Sequence, residues 1–329
     1  GEGRFEPREI KLGARSDEYV ETASRARPLA ERESVRWLEG AACAEACLAD
    51  AASVTVVADR EGDIYAAFAR RPPRIDLLVR AAQDRSLADG SRLFARPEAW
   101  PELARMTVTV PPSGPGRRGR LATVALRAGQ VVISRPSQGS DPADPPQITL
   151  HMVEAREIGD SGGEPPLLWR LLSSRPISNA AEAEEAVQVY KLRWRIEEIF
   201  RALKKDGMRL EETQMEKADA LFKLAVVGLA AATRTLQLVN ARDGSTRPAT
   251  DVIDVDLMPA VEAIAVKLEG RTERQRNPHP RGSLAWLAWV VARLGGWNCY
   301  YKPPGPKTMH CGWAQLAAMA AGVIIASHQ

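Results

Sequence analysis

Between residues 82 and 165 the apolar residues of this chain recur every second position, whereas beyond residue 180 they recur at helical spacing. A chain with both periods folds neither as a helix bundle nor as an all-β sandwich. The runs MTVTVPP, LATVALRAGQVVISRP and QITLHMVEAREI alternate apolar and polar residues and are separated by turns such as PPSGPGRRGR and DSGGEPP. They predict an antiparallel β insertion. Upstream, SVTVVADREGDIYAAFARR predicts a short β-branched strand, a turn at Gly62 and a helix from about Asp63, and RIDLLVRAA the next strand. LLWRLLSSRPI supplies one more strand. Helices are predicted over about 32–49, over NAAEAEEAVQVYKLRWRIEEIFRALKK as the longest helical stretch, over KADALFKLAVVGLAAATRTLQLVNAR, and at 258–269, 283–294 and 312–325. Residues 1 to about 31 are polar without a clear period and read as an irregular arm.

At 329 residues and 45% hydrophobic the chain can bury a sizeable core, which excludes a disordered protein. A formal net charge of +3 is only mildly basic, so affinity for nucleic acid must come from local clustering of cations. Cys43, Cys47, Cys299 and Cys311 lack paired CxxC spacing and read as buried free thiols, with zinc binding as the other reading. No signal peptide opens the chain, and no run reaches the roughly 18 apolar residues of a membrane span. A cytoplasmic, nucleoid-associated protein without a membrane is expected. The chain begins at Gly1 and not at methionine, as a processed chain or a fragment would.

The stretch YKLRWRIEEIFRALKKDGMRLEE sets Glu197 among cations and aromatics. At 100° per residue, Leu192, Ile196, Ile199 and Leu203 form a core stripe, and Tyr190, Arg193, Glu197, Arg201 and Lys204 cluster nearly opposite. Such a face can be a solvated surface of i,i+4 ion pairs, each contributing a few tenths of a kcal/mol. It can also be a nucleic-acid site, because Tyr190 and Trp194 beside arginines suit base stacking and phosphate binding.

The order Tyr190, Arg193, Glu197, Lys204 resembles the Y-R-E-K signature of bacterial insertion-sequence transposases of the DDE class, the group that includes the transposon-five transposase. The resemblance implies a ribonuclease H-like α/β core, interrupted by the β insertion and followed by a helical unit. It divides the chain into 1–81, the first part of the core with the arm; 82–165, the insertion; 166–245, the second part with the Y-R-E-K helix; and 246–329, a C-terminal helical dimerisation domain. It further implies that Asp59, after the strand VTVVA, is a catalytic carboxylate, although locally a turn or capping aspartate would look the same and Asp63 is the better cap candidate. Arg80 takes the position of a DNA-contacting arginine. Trp169 takes that of a tryptophan that stacks on a flipped base, and a core aromatic on a strand is the alternative. GSLAWLAWVVARLGG is similar to the segment that pairs two transposase molecules.

In such enzymes carboxylates hold two Mg²⁺ ions roughly 4 Å apart, and Mn²⁺ can substitute. Asp59 and Glu197 are the implied metal ligands, and Tyr190, Arg193, Arg201, Lys204, Arg80, Trp169 and Trp194 the implied DNA contacts. The implied partners are transposon-end and target DNA and a second copy of the chain. The family's first aspartate has no match, because before Asp59 only Asp17 and Asp50 occur, and neither ends an apolar strand. The expectation is an N-terminally incomplete transposase, inactive or nearly so alone. Its competitor is a non-catalytic fragment that binds DNA or pairs with a complete transposase. A two-carboxylate glycosidase fits less well, because Glu197 lies among phosphate-binding residue types.

Overall fold

In the computed structural model the described residues are 31–110, 119–204, 213–215 and 217–327. The predicted arm, Asp17 and most of the turn PPSGPGRRGR lie outside them. The chain divides into two compact units, Gly1–Arg193 and Trp194–Gln329.

The first unit is built on one six-stranded sheet. Its strands are β1 (Val54–Ala58), β2 (Ile75–Arg80), β3 (Ala104–Val110), β4 (Arg120–Ser134), β5 (Gln147–Glu157) and β6 (Leu168–Ser173), in the order β1-β2-β6-β5-β4-β3. β1 and β2 are parallel and every other neighbouring pair is antiparallel. The three alternating runs therefore continue the same sheet that the β-branched strands begin. Helix α1 (Val35–Cys47), the short α2 (Tyr65–Ala69) and α3 (Ala180–Lys191) complete the unit.

Strand alternation sends successive residues to opposite faces, and both faces of this sheet are covered. On one, Ile75, Leu77 and Val79 of β2 join Val131, Ile133, Leu150, Met152 and Leu172 beneath Ala41 of α1 and Tyr65 and Phe68 of α2. On the other, Leu78, Val124, Leu126, Val153, Trp169 and Leu171 pack against Ala183, Val187 and Tyr190 of α3. β4 serves both cores: Val124 and Leu126 belong to the α3-side cluster, whereas Val131 and Ile133 belong to the cluster beneath α1 and α2. Helix α3 starts where Asn179 accepts a hydrogen bond from Glu182 N and Glu182 accepts one from Ser178 N, a reciprocal cap.

The second unit is helical: α4 (Trp194–Lys204), α5 (Ala218–Ala241), α6 (Met258–Leu268), α7 (Leu284–Leu294) and α8 (Pro306–Ser327). α7 is apolar on all sides up to Arg293 in its last turn, and nine of its eleven residues are buried, so it is the axis of this unit's core. Leu238 of α5, Val261 and Ala265 of α6 and Met309 and Leu316 of α8 surround it.

Four expectations are corrected. The longest predicted helix is two helices, because after Lys191 the bonds Leu192 N to Val189 O and Arg193 N to Tyr190 O tighten the last turn and end α3. One helical wheel cannot span the junction, and only half of the expected core stripe holds: Leu192 and Ile196 are exposed, while Ile199 packs against, and Leu203 is buried in, the cluster with Ala232. The cysteines are free but not buried, since Cys43, Cys47 and Cys311 are exposed on their helices and Cys299 is half-buried. Finally, α5 has 24 residues and an 18-residue window of mean hydropathy 1.3, enough by length and composition to cross a membrane. Lys223 interrupts its apolar run, so counting consecutive apolar residues misses what an average detects. Only 28% of that window is buried.

Candidate active site

Register and face parity assemble the first unit's site. Ala58 pairs with Val79 across the parallel strands, so Asp59 and Arg80 emerge side by side at carboxyl ends, where open α/β sheets place their functional groups. Val57 faces the α3 side of the sheet, and strand alternation directs Asp59 the same way. There it meets the end of α3, 131 residues on in the chain: the Tyr190 hydroxyl donates to Asp59 Oδ1 at 3.4 Å, and Arg193 Nη2 lies 3.7 Å from Asp59 Oδ2. Asp59 Oδ1 also accepts from Arg60 N at 2.8 Å, which fixes the carboxylate at the head of a short turn of 3₁₀ helix.

Tyr190 is buried, 2% exposed, with its ring edge-on to Trp169 at 5.4 Å between centroids. Burial raises the pKa of its hydroxyl, and the Asp59 carboxylate raises it further, against the opposing pull of Arg80 and Arg193. The hydroxyl therefore stays protonated through neutral pH and acts as a donor. Arg80 also donates to the carbonyl of Leu168 at 3.3 Å. Trp169 is 7% exposed, so a base could stack on it only if a ring face were opened.

The other expected residues stand on α4 in the second unit. Trp194, Glu197, Arg201 and Lys204 follow i, i+3, i+7 and i+10 spacing and share one face, all exposed, with Trp194 at 45%. The opposite face, Ile199, Ala202 and Leu203, packs on Ala232 of α5.

Asp63, expected as a helix cap, has a different task. Its carboxylate accepts from Ala82 N and Gln83 N at 2.8 and 3.0 Å and from Arg85 Nε and Nη2 at 3.1 and 2.7 Å. Both side chains are buried, and together they clamp the segment that leaves β2 directly after Arg80. Nothing in the local sequence marks this pair, because its members lie 22 residues apart and meet only through the parallel β1–β2 pairing. A cavity of about 650 Å³ adjoins this clamp and is lined by Asp63, Arg85, Asp84, Arg92, Asp141 and Asp144, among others. Its carboxylates are already engaged by arginines: Asp63 by Arg85, Asp84 by Arg92, and Asp141 and Asp144 by Arg70.

The carboxylate oxygens of Asp59 are hard donors of the kind that suits a divalent cation such as Mg²⁺. Its side chain is 39% exposed, and the 3.7 Å approach of Arg193 to Oδ2 is longer than a hydrogen bond. Among the described residues no group of three or more His, Cys, Asp or Glu side chains stands together in a way that could hold a metal ion. Asp59 thus fits as one member of a donor set that needs further ligands.

Residues 114–233 match the family model described as the transposase DDE domain, a span that includes Trp169, Tyr190, Arg193, Trp194, Glu197, Arg201 and Lys204 and excludes Asp59 and Arg80. Transposases of this family act on DNA and generally use divalent metals. The matched span is 120 of the chain's 329 residues, and over it the chain is similar to the DDE domain of transposases.

Proposed function

We propose that the chain is a DDE transposase of the Y-R-E-K type, similar to the transposon-five transposase, with a ribonuclease H-like core formed by residues 1–81 and 166–245, an insertion at 82–165 and a dimerisation domain at 246–329. The observation that carries this reading is the convergence of Tyr190 and Arg193 on Asp59 at the carboxyl end of β1. Asp59 and Glu197 are the proposed carboxylate ligands for Mg²⁺, with Mn²⁺ as a substitute. Such ions, when bound, activate a water or 3′-hydroxyl and neutralise charge on the leaving oxygen. The chain's own groups do the rest. Arg80, Arg193, Arg201 and Lys204 hold phosphates, the protonated Tyr190 hydroxyl fixes Asp59, and Trp194, the more exposed of the two candidate tryptophans, stacks on an unpaired base.

A second reading is favoured by one observation, the lack of any three-residue His, Cys, Asp or Glu group among the described residues. On that reading the chain binds DNA or pairs with a complete transposase without cutting. Nicking of supercoiled plasmid with Mg²⁺ or Mn²⁺ separates the two. The catalytic reading expects metal-dependent nicking by the wild type, weak because the first aspartate of the ligand set has no match, and lowered further, roughly 100-fold or more, in Asp59→Asn and Glu197→Gln, since each ligand stabilises the transition state by several kcal/mol. Nicking that survives both substitutions removes these carboxylates from the mechanism. Plasmid binding without nicking leaves the non-catalytic reading.

A further inference from the structure

The second unit contains a cavity of about 230 Å³ between the end of α5, the segment around residues 274–279, α7 and the loop 297–304. Its lining combines Trp289, Trp297 and Tyr301 with Arg242, Arg274 and His279. The volume is below the roughly 300–1,000 Å³ usual for whole cofactors or drug-sized ligands, and it suits a group the size of one aromatic heterocycle.

The loop is held in a shape that presents an aromatic ring. Cys299 has φ of 70°, the one positive φ at a non-glycine among the described residues, and Trp297 Nε1 donates to the carbonyl of Lys302 at 3.2 Å. Left-handed backbone is unfavourable at a side-chain-bearing residue, and such conformations concentrate at ligand sites. Tyr301, just beyond this reversal, is 81% exposed at the cavity wall, while Trp289 and Pro304 form its buried side. An aromatic ring left so open by a fixed loop offers a stacking platform.

Charge specifies the rest of the ligand. Residues 269–307 carry seven Lys or Arg and two acidic residues, Glu269 and Glu273, in a chain whose overall charge is only +3. At the cavity, Arg242 pairs with Asp243 and donates to the carbonyl of Pro304, whereas Arg274 is exposed and makes no ion pair among the described residues. The ring of His279 bonds to the carbonyl of Arg242 at 3.1 Å, which ties that wall together.

We infer that this cavity is a second nucleic-acid site, selective for an unpaired nucleotide, in which Tyr301 and Trp297 stack on the base and Arg274 holds a neighbouring phosphate. The inference builds on the reading of the chain as a DNA-acting protein, but it concerns residues outside the Y-R-E-K helix. Full-length chain, with fluorescently labelled single-stranded oligothymidylate and a labelled duplex of the same length, tests it by anisotropy. Tyr301→Ala is expected to weaken single-strand binding at least about tenfold, in line with the loss of one base–aromatic stack, and to leave duplex binding unchanged. Tyr301→Phe retains the ring and should retain the affinity. Arg274→Ala should weaken binding and flatten its dependence on salt. Thermal melting checks that the variants fold, which the exposure of Tyr301 and Arg274 favours.

Wild-type affinity for single strands in Tyr301→Ala and Arg274→Ala overturns the inference, as does a wild type that binds only duplex. Plasmid nicking on the same preparations separates this failure from that of the broader reading. Nicking with no effect of Tyr301→Ala on single-strand binding sinks the cavity site alone. Tyr301-dependent single-strand binding without nicking keeps the site and removes the catalytic reading.

Discussion

At the scale of the residue, Tyr190 and Asp63 show how burial converts ordinary side chains into fixed ones. The raised pKa of Tyr190 has a definite consequence for stability. Below the unfolded value near 10 both states hold the phenolic proton and its contribution is complete. As pH rises toward the raised folded value, the unfolded chain loses the proton first and folding stability falls, by up to about 1.4 kcal/mol per pH unit for one group. Denaturant unfolding at a series of alkaline pH values should show this fall, shallower in Tyr190→Phe. Some slope should persist, because burial also raises the pKa of Tyr65. An identical alkaline limb in Tyr190→Phe would remove Tyr190 as its source. For the clamp, Asp63→Asn is expected to cost about 3–5 kcal/mol by leaving Arg85 buried beside a neutral group, whereas Asp63→Leu/Arg85→Met should recover part of that loss. Chemical denaturation of the two variants measures both, and a cost under about 1 kcal/mol in Asp63→Asn would mean that the pair is not a clamp.

At the scale of the element, close approaches of backbone decide which helices can pack. Gly312 on α8 lies so close to α7 that an added Cβ would fall 1.8 Å from the carbonyl oxygen of Val291 and 2.8 Å from the amide of Gly295. Backbone atoms in a buried helix cannot step aside, so Gly312→Ala should destabilise the second unit by about 1–3 kcal/mol or more. On the same helix Gly322 has nothing within 4 Å of its virtual Cβ, and Gly322→Ala should gain about 0.5–1 kcal/mol from helix propensity. Denaturant midpoints of the pair check this, and similar shifts of one sign would refute the packing account. The α3–α4 junction shows what element-level reasoning from sequence lacks. KLRWR contains neither glycine nor proline, and the helix ends because its last turn tightens, which no residue type in the segment announces.

For the whole molecule, a net charge of +3 cannot by itself bind a polyanion tightly, yet arginines are concentrated at Arg80 and Arg193, along α4 and over residues 269–307. Duplex affinity should therefore depend steeply on salt, with log K falling against log salt at a slope of about −0.9 per phosphate neutralised. Replacing Arg201 and Lys204 together by alanine should flatten that slope by about 2 at most and weaken binding similarly for all sequences. Anisotropy titrations at several salt concentrations provide the measurement, and an unchanged slope would place the phosphate contacts elsewhere.

The sequence alone determined the local features. Strand alternation from β3 to β5, the short apolar runs of β1 and β2, the amphipathic α4 and the apolar α7 all follow from patterns that each short segment carries within itself. The Y-R-E-K spacing and Asp59 at the end of a strand were legible for the same reason. What only the tertiary structure decided was every relation between distant segments: the single sheet joining β1 to β6, the meeting of Tyr190 and Arg193 with Asp59, the burial of Trp169, and the Asp63–Arg85 clamp. These depend on register and face parity across many residues, and a one-residue change of register would turn Asp59 to the other face of the sheet. Which apolar side chains lie exposed, as Leu192, Ile196 and the cysteine-bearing faces do, was likewise set by what each helix finds to pack against. Hydrophobicity specifies a preference for burial, and only the assembled neighbours determine whether it is met.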